Sequence, residues 1–155
     1  MTEPSSIPRL AEVLTEDMIM ARADVSYWKD AIRKSGELLV KAGAADPKYI
    51  DAMIEFCEEH NAYIVIAPGI AIPHARPEDG MKKVGFSLIT LKKPVEFGNP
   101  VNDPVDLVIA LGAPDNKSHI KALAQLAEIL MNKEAVKRIR DARTKSEILE
   151  ALNPS

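Results

Sequence analysis

A histidine in a proline-bounded loop is the residue of this chain best suited to chemistry. His74 follows the small apolar run 69–73 and lies between Pro73 and Pro77. Because proline fixes its own φ and restricts the residue before it, the backbone that carries this imidazole has little freedom. An imidazole titrates near neutral pH and can act as a nucleophile, so the sequence predicts a reactive group held in one place.

A second histidine, His119, falls in the first turn of a predicted helix that follows the cap candidates Asp115 and Asn116. The unpaired N–H groups and the dipole of a helix N-terminus favour an anion, and Lys117 adds a positive charge nearby. Both histidines come just after predicted strands, where the loops of an α/β sheet gather and ligands bind. If the two rings face each other, one can carry a phosphoryl group while the other hydrogen-bonds to it.

Other interpretations of these residues are open. A loop histidine is more often a surface or packing residue, and His60 at a predicted helix end would compensate the helix dipole. Arg76 could steer an anionic partner or be solvated. His74, His119 and Asp79 could ligate a metal, but the close histidine spacing typical of zinc sites is absent, so we expect no metal. The sequence has no P-loop and no glycine-rich dinucleotide motif, so we expect no nucleotide cofactor.

Composition restricts the class of protein. The 155 residues are 46% hydrophobic and 28% charged, which is typical of one globular domain, taken here as 1–155. The net charge of -3 comes without a basic stripe, so binding to nucleic acid is not expected. No signal-peptide pattern and no apolar run long enough to span a bilayer is present, so we expect a cytoplasmic protein. The single cysteine, Cys57, lies on the apolar face of a predicted helix and is interpreted as a core residue.

Hydrophobic periodicity predicts an α/β fold, a layered domain with a central mixed sheet and helices on both faces. The predicted strands span 18–25, 63–66, 84–91 and 105–111. The last of these is a continuous apolar run, which suits a strand covered on both faces. Turns are predicted at 92–94 and 97–100, with at most a short extended piece around Val95. The order of the strands does not follow from periodicity.

Capping residues predict where the helices begin and end. The first helix should follow Ser26 and stop at Gly43, and the second should run from Asp46-Pro47 to about His60. Further helices are predicted at 116–131, around 136–139, and after the capping-box pattern at 144–147.

Several segments of the chain, in the same order, resemble a known family. They are Pro68-Gly69-Ile70-Ala71-Ile72-Pro73-His74, then 84–88, the apolar strand from Val105, and Asn116-Lys117-Ser118-His119-Ile120 at a helix start. Together they are similar to the enzyme IIA component of the bacterial phosphotransferase system, mannitol/fructose type (type-2 EIIA). The segments 63–69, 76–78, 91–97 and 102–106 look most like the ascorbate-specific branch.

The resemblance implies a phosphoryl carrier for phosphoenolpyruvate-dependent sugar uptake, here of ascorbate. His74 would accept phosphate from the phosphocarrier protein HPr through Nε2, as a tele-phosphohistidine intermediate, and His119 would steady the phosphoryl group. The phosphate would pass to a cysteine of an enzyme IIB component, which serves the membrane permease IIC. No cofactor is implied.

The surroundings of His74 give further expectations. The residues expected to contact phosphate or a partner are Arg76, Ser118 and Ile72. An apolar rim of Ile70, Ile72 and Phe86 would dock both partners over modest, transient interfaces.

One departure from the family pattern concerns positive charge. Mannitol-type members usually carry an arginine on the helix before the active loop, whereas 55–60 reads Glu-Phe-Cys-Glu-Glu-His here. Arg76, or His60 if protonated, could supply the charge instead. The resemblance also admits a nitrogen-related regulator that is phosphorylated on His74 but acts by binding other proteins. A metal-dependent hydrolase that uses the two histidines is a third possibility.

Overall fold

The computed structural model describes residues 14–60 and 62–152 of the chain. In this part, one sheet contains the strands β1 Ile19–Ala23, β2 Val65–Ala67, β3 Ile70–Ala71, β4 Gly85–Val95 and β5 Val105–Gly112. The α-helices are α1 Trp28–Lys41, α2 Lys48–Glu59, α3 Asn116–Leu130, α4 Lys133–Asp141 and α5 Lys145–Leu152. Short 3₁₀ turns span Glu16–Met18 and Pro77–Asp79.

The sheet is mixed, with the strand order β1-β4-β5-β3-β2. β1 runs parallel to β4 and β3 parallel to β5, whereas the pairs β4 with β5 and β2 with β3 are antiparallel. The central strands are buried continuously at 85–91 on β4 and at 107–112 on β5. Because successive residues of a strand point to opposite faces, such runs require cover on both faces of the sheet. The predicted layered α/β class is confirmed.

The helices supply that cover, and α1 ends where the sequence predicts. α1 packs against β4, β5 and α2, while α3 packs against β5 and α5 against β1. Gly43 has a φ of +77°, the left-handed conformation that glycine adopts without strain. The N–H groups of Gly43 and Ala44 donate to the carbonyls of Val40 and Leu39 at 3.0 and 2.9 Å, which closes the helix in a Schellman motif.

The helix starts differ in detail from the prediction. Tyr27 rather than Ser26 is the N-cap of α1, and no side chain of the described residues caps it. The N-cap of α2 is Pro47 itself, in helical backbone, so Asp46 lies one residue too early to cap. At α5, the hydroxyl of Thr144 accepts from the N–H of Glu147 at 3.1 Å, as the capping-box pattern predicts.

Two strand predictions are wrong. β4 continues to Val95 through 92–94, which the sequence marks as a turn. The ladder with β5 is interrupted between Thr90 and Val95, so Pro94, which has no N–H to donate, is tolerated there. β3 lies inside the segment predicted as a loop, and its two residues are too few to show a period.

β3 brings the loop of His74 to the start of α3. Ile70 of β3 pairs with Leu107 of β5, and both strands run in the same direction. Parallel strands end at the same edge, so the residues that follow β3 and β5 leave the sheet together. Gly69, with a φ of +77°, makes the turn into β3, and its carbonyl accepts from the N–H groups of Asp106 and Leu107 at 3.0 and 3.1 Å.

Candidate functional site

The two histidines singled out in the sequence face each other at this edge of the sheet. The ring centroids of His74 and His119 are 5.7 Å apart, with an angle of 51° between the ring planes. Both residues are partly buried, so neither ring is sealed in the core. A group bound to one imidazole is therefore within reach of the other.

A backbone carbonyl fixes the tautomer of His74. Its Nδ1 lies 2.7 Å from the carbonyl oxygen of Ile72. A carbonyl can only accept, so Nδ1 carries the proton of the neutral ring and Nε2 keeps its lone pair. Burial lowers the pKa of His74, the Ile72 hydrogen bond partly opposes this, and the charge of His60 lowers the pKa further. In this tautomer, Nε2 is the nitrogen whose lone pair is available for bonding.

The start of α3 holds His119. The carboxylate of Asp115 accepts from the N–H of Ser118 at 2.8 Å, which confirms Asp115 as the N-cap. Burial lowers the pKa of His119, and the charge of His74 lowers it further. The Nδ1 atom of His119 is buried and has no hydrogen-bond partner among the described residues. An unpaired buried nitrogen costs free energy, and an acceptor brought by a bound group would relieve that cost.

An aromatic residue that the sequence analysis missed supports the other side of His74. The ring of Phe56 on α2 lies 5.2 Å from the ring of His74 and 4.2 Å from that of His60, centroid to centroid. The rings of His60, Phe56, His74 and His119 thus form a series of neighbours. The spacing of four between Phe56 and His60 places them on one helix face and could have been read from the sequence.

The residues expected to contact phosphate or partner are otherwise engaged. Arg76 donates to both carboxylate oxygens of Asp79, at 3.2 and 3.3 Å. The N–H and hydroxyl of Ser118 both donate to Asp115. The roles assigned to Arg76 and Ser118 stay predictions.

The predicted apolar docking rim is wrong. The side chains of Ile70, Ile72 and Phe86 are only 5%, 7% and 0% exposed, because they pack in the core beneath the loop. Ile72 acts on the site through its carbonyl instead. Ile120, beside His119 and 66% exposed, offers apolar surface there.

The remaining alternatives concern metals and membranes. Among the described residues, no group of three or more histidine, cysteine or acidic side chains is arranged to hold a metal ion. None of the helices in 14–60 and 62–152 has both the length and the apolar character needed to cross a bilayer.

Comparison with known proteins identifies the family. Residues 12–154 match the model of the phosphoenolpyruvate-dependent sugar phosphotransferase system, EIIA 2. The chain belongs to this EIIA family. Relatives of this EIIA chain include the ascorbate-specific PTS system EIIA component of Escherichia coli strain K12, 40% identical over 147 residues, or 94% of this chain and 96% of the relative. The protein of the same description from Salmonella typhimurium is 39% identical over the same shares. The resemblance found in the sequence, including its ascorbate-specific branch, is confirmed.

Solved structures agree with the family. The mannitol-specific cryptic phosphotransferase enzyme IIA of Escherichia coli is 33% identical, with a TM-score of 0.85 over 96% of this chain and 100% of that one. The mannitol enzyme IIA of Escherichia coli, solved in complex with phosphorylated mannitol enzyme IIB, is 28% identical with a TM-score of 0.79, covering 92% and 98%. A nitrogen regulatory protein IIA from Neisseria meningitidis, 22% identical with a TM-score of 0.74, shares the fold.

Proposed function

We propose that this EIIA chain is a phosphoryl carrier whose Nε2 atom of His74 accepts phosphate from phospho-HPr. It then passes the phosphate to a cysteine of an enzyme IIB component, which serves the permease IIC. The observation that carries the proposal is the pair of facing imidazoles, 5.7 Å apart, in which the Ile72 carbonyl leaves Nε2 of His74 free. The proposal places the protein in the cytoplasm, where its donor and acceptor work.

The transfer asks the protein for position and charge more than for covalent chemistry. Nε2 of His74 attacks the phosphorus in line, and the bond between phosphorus and the donor imidazole of HPr breaks. The departing imidazole keeps the electron pair of that bond. In the second step the thiolate of IIB attacks the same phosphorus, and the bond to Nε2 breaks in turn. His119 hydrogen-bonds to the phosphoryl oxygens between the two steps.

Positive charge at the site is modest. Arg76 is paired with Asp79, and the family arginine on the helix before the loop is replaced by the sequence 55–60. Arg76 and His60, whose ring lies against Phe56, are the two candidates for positive charge near the phosphorylated histidine. A weakly cationic pocket suits an intermediate that must release its phosphoryl group as readily as it accepts it.

Ascorbate is the proposed sugar. The support is the description of the relatives from Escherichia coli and Salmonella typhimurium, which match nearly the whole chain at 40% and 39% identity. A purely regulatory function has weaker support, because the nitrogen regulatory neighbour is 22% identical and supports the fold alone.

Reconstitution tests the proposal. Incubation with phosphoenolpyruvate, enzyme I and HPr should add one acid-labile phosphoryl group to the wild-type chain and none to His74→Ala, by intact mass. Cys57→Ala is the matched control and should still be labelled, since the thiol is buried. Labelling of His74→Ala would contradict the proposed acceptor.

Onward transfer separates the carrier from the regulator. His119→Ala should be phosphorylated slowly and should pass phosphate to the IIB of an ascorbate system much less efficiently than the wild type. Unchanged transfer by His119→Ala would remove its assigned role. A wild-type chain that is phosphorylated but donates to no IIB cysteine would favour the regulatory alternative.

A further inference from the structure

A buried tyrosine reaches the loop that carries His74. Tyr49, in the first turn of α2, is 0% exposed. Its hydroxyl donates to the carbonyl of Leu111 at 2.9 Å and accepts from the N–H of Ala75 at 3.0 Å. Burial raises the pKa of Tyr49 well above its usual value, so the hydroxyl keeps its proton and can both donate and accept.

Leu111 of β5 also binds the residue that precedes His74. The N–H of Leu111 donates to the carbonyl of Pro73 at 3.1 Å. Leu111 therefore binds both neighbours of His74, Pro73 directly and Ala75 through the hydroxyl of Tyr49. Because the backbone is held on both sides of His74, the position of its Cα atom, from which the side chain extends, is fixed.

The space around this hydroxyl is closed. A Cβ atom added at Gly112 would lie 2.7 Å from the hydroxyl oxygen of Tyr49 and 2.5 Å from the sulfur of Met81. Both distances are shorter than van der Waals contact, so a methyl group at Gly112 must displace the hydroxyl of Tyr49 as well as the sulfur of Met81. Gly112→Ala therefore disturbs the bridge from outside without removing the hydroxyl.

We infer that Tyr49 is a positioning residue for phosphoryl transfer, acting through the hydroxyl bridge between Leu111 and Ala75. This inference rests on the proposed function of His74. Without the hydroxyl, the N–H of Ala75 and the carbonyl of Leu111 lose a partner in places that are only 2% and 0% exposed. Buried peptide groups without partners are costly, so the loop shifts to satisfy them. The ring of His74 then leaves the Ile72 carbonyl and loses its fixed tautomer.

The test compares Tyr49→Phe and Gly112→Ala with Met53→Ala, all in the full chain. Met53 is fully buried on α2, so its truncation lowers stability as a core change does. ¹⁵N NMR of the unphosphorylated protein should show less of the Nδ1–H tautomer of His74 in the first two variants. Phosphorylation by phospho-HPr should lose about tenfold or more in kcat, with KM retained, because misplacement of a reacting atom acts on the chemical step. Met53→Ala should keep the tautomer and kcat at a temperature where it is folded.

The outcomes decide between positioning and general stability. Equal tautomer populations and rates in Tyr49→Phe and Met53→Ala would overturn the inference. If Tyr49→Phe does not fold, Gly112→Ala decides in the same way, and rapid exchange of the Ala75 amide in the native wild-type protein would also contradict the bridge. A wild-type chain that HPr does not phosphorylate would refute the proposed function, while the tautomer measurement, which needs no donor, would still test the bridge.

Discussion

Burial keeps the His74 imidazole neutral, and the Ile72 carbonyl decides which of its nitrogens carries the proton. The neighbouring His119 has its pKa lowered for the same main reason, burial. In the proposed transfer, the lowered pKa values reduce the competition between a proton and the incoming phosphoryl group for these rings. In that proposal, His74 stays available for nucleophilic attack to a lower pH than a free histidine would.

The lowered pKa values predict how stability depends on pH. Histidine in the unfolded chain has a pKa of about 6.5. Just below that pH, the unfolded chain therefore binds protons more readily than the rings of His74 and His119 do in the folded protein. The contribution of the two histidines to the free energy of unfolding should be complete above about pH 6.5. It should be lost as the pH decreases from about 6.5 through the folded pKa values. Urea unfolding at a series of pH values measures this dependence. The free energy of unfolding should change less steeply with pH in His74→Gln than in the wild type, and least steeply in the double variant with His119→Gln. Identical slopes in the wild type and the double variant would contradict the assignment.

At the scale of single residues, the sequence singled out the two histidines of the site but missed the residues that support them. The motif ending in Pro73-His74 and the helix start at His119 were enough to single out both histidines, and the structure places their ring centroids 5.7 Å apart. Phe56 and Tyr49 were missed, because an aromatic residue on an apolar helix face is ordinary core in most proteins. A hydroxyl at a core position was the available signal at Tyr49, since a buried phenol needs hydrogen-bond partners.

Among the elements, the turn between β2 and β3 is held by side-chain contacts from a distant helix. Arg140 of α4 donates to the carbonyl of Pro68 at 2.7 Å and to Asp106 of β5 at 3.0 Å. These bonds tie the turn to both a helix and the central sheet. A Cβ at Gly69 would lie 2.5 Å from Nη2 of Arg140, so a side chain there must displace the guanidinium group.

Two glycines with the same φ separate backbone strain from this contact. Gly43 and Gly69 both have a φ of +77°, but a Cβ at Gly43 meets nothing within 4 Å among the described residues. Gly43→Ala should cost about 1 to 2 kcal/mol, the usual penalty of a left-handed residue with a side chain. Gly69→Ala should cost about 1 kcal/mol more through weakened Arg140 hydrogen bonds, and should slow phosphorylation of His74, as Gly43→Ala should not. Urea unfolding measures the loss of stability, and labelling by phospho-HPr measures the phosphorylation rate. Equal losses of stability and of rate in the two variants would contradict a role for the contact between residue 69 and Arg140.

The long periodic elements followed from the sequence, whereas the short ones did not. α1 and β5 carry many apolar residues in a regular pattern, and both were predicted to within a few residues. β3 has only two residues, and it is held by pairing with β5 and by the carbonyl of Gly69, which are contacts between distant parts of the chain. The extension of β4 past Pro94 depends equally on its partner, since the local turn signal alone points the other way.

For the molecule as a whole, Cys57 reports on global opening. Its side chain is 2% exposed, in agreement with its interpretation as a core residue. Burial, with the charges of Glu58 and Asp103, raises the pKa of its thiol to about 12. Since the thiolate is the reactive form, native protein should resist a thiol reagent near pH 8, and labelling should rise with urea in step with loss of circular dichroism. Rapid stoichiometric labelling of the folded chain would contradict the buried placement.

The two outermost strands limit how this molecule can meet others. β2 has three residues, and the carbonyl of Val65 already accepts from the side-chain amide of Asn102 at 3.0 Å. β1 is irregular, since its register with β4 shifts between Met20 and Ala23 and Arg22 has a φ of +53°. Short or distorted edge strands are poor templates for the addition of a strand from another protein. A partner protein must then bind through side chains on the surface and not by extending the sheet. Such binding favours transient complexes over permanent assembly.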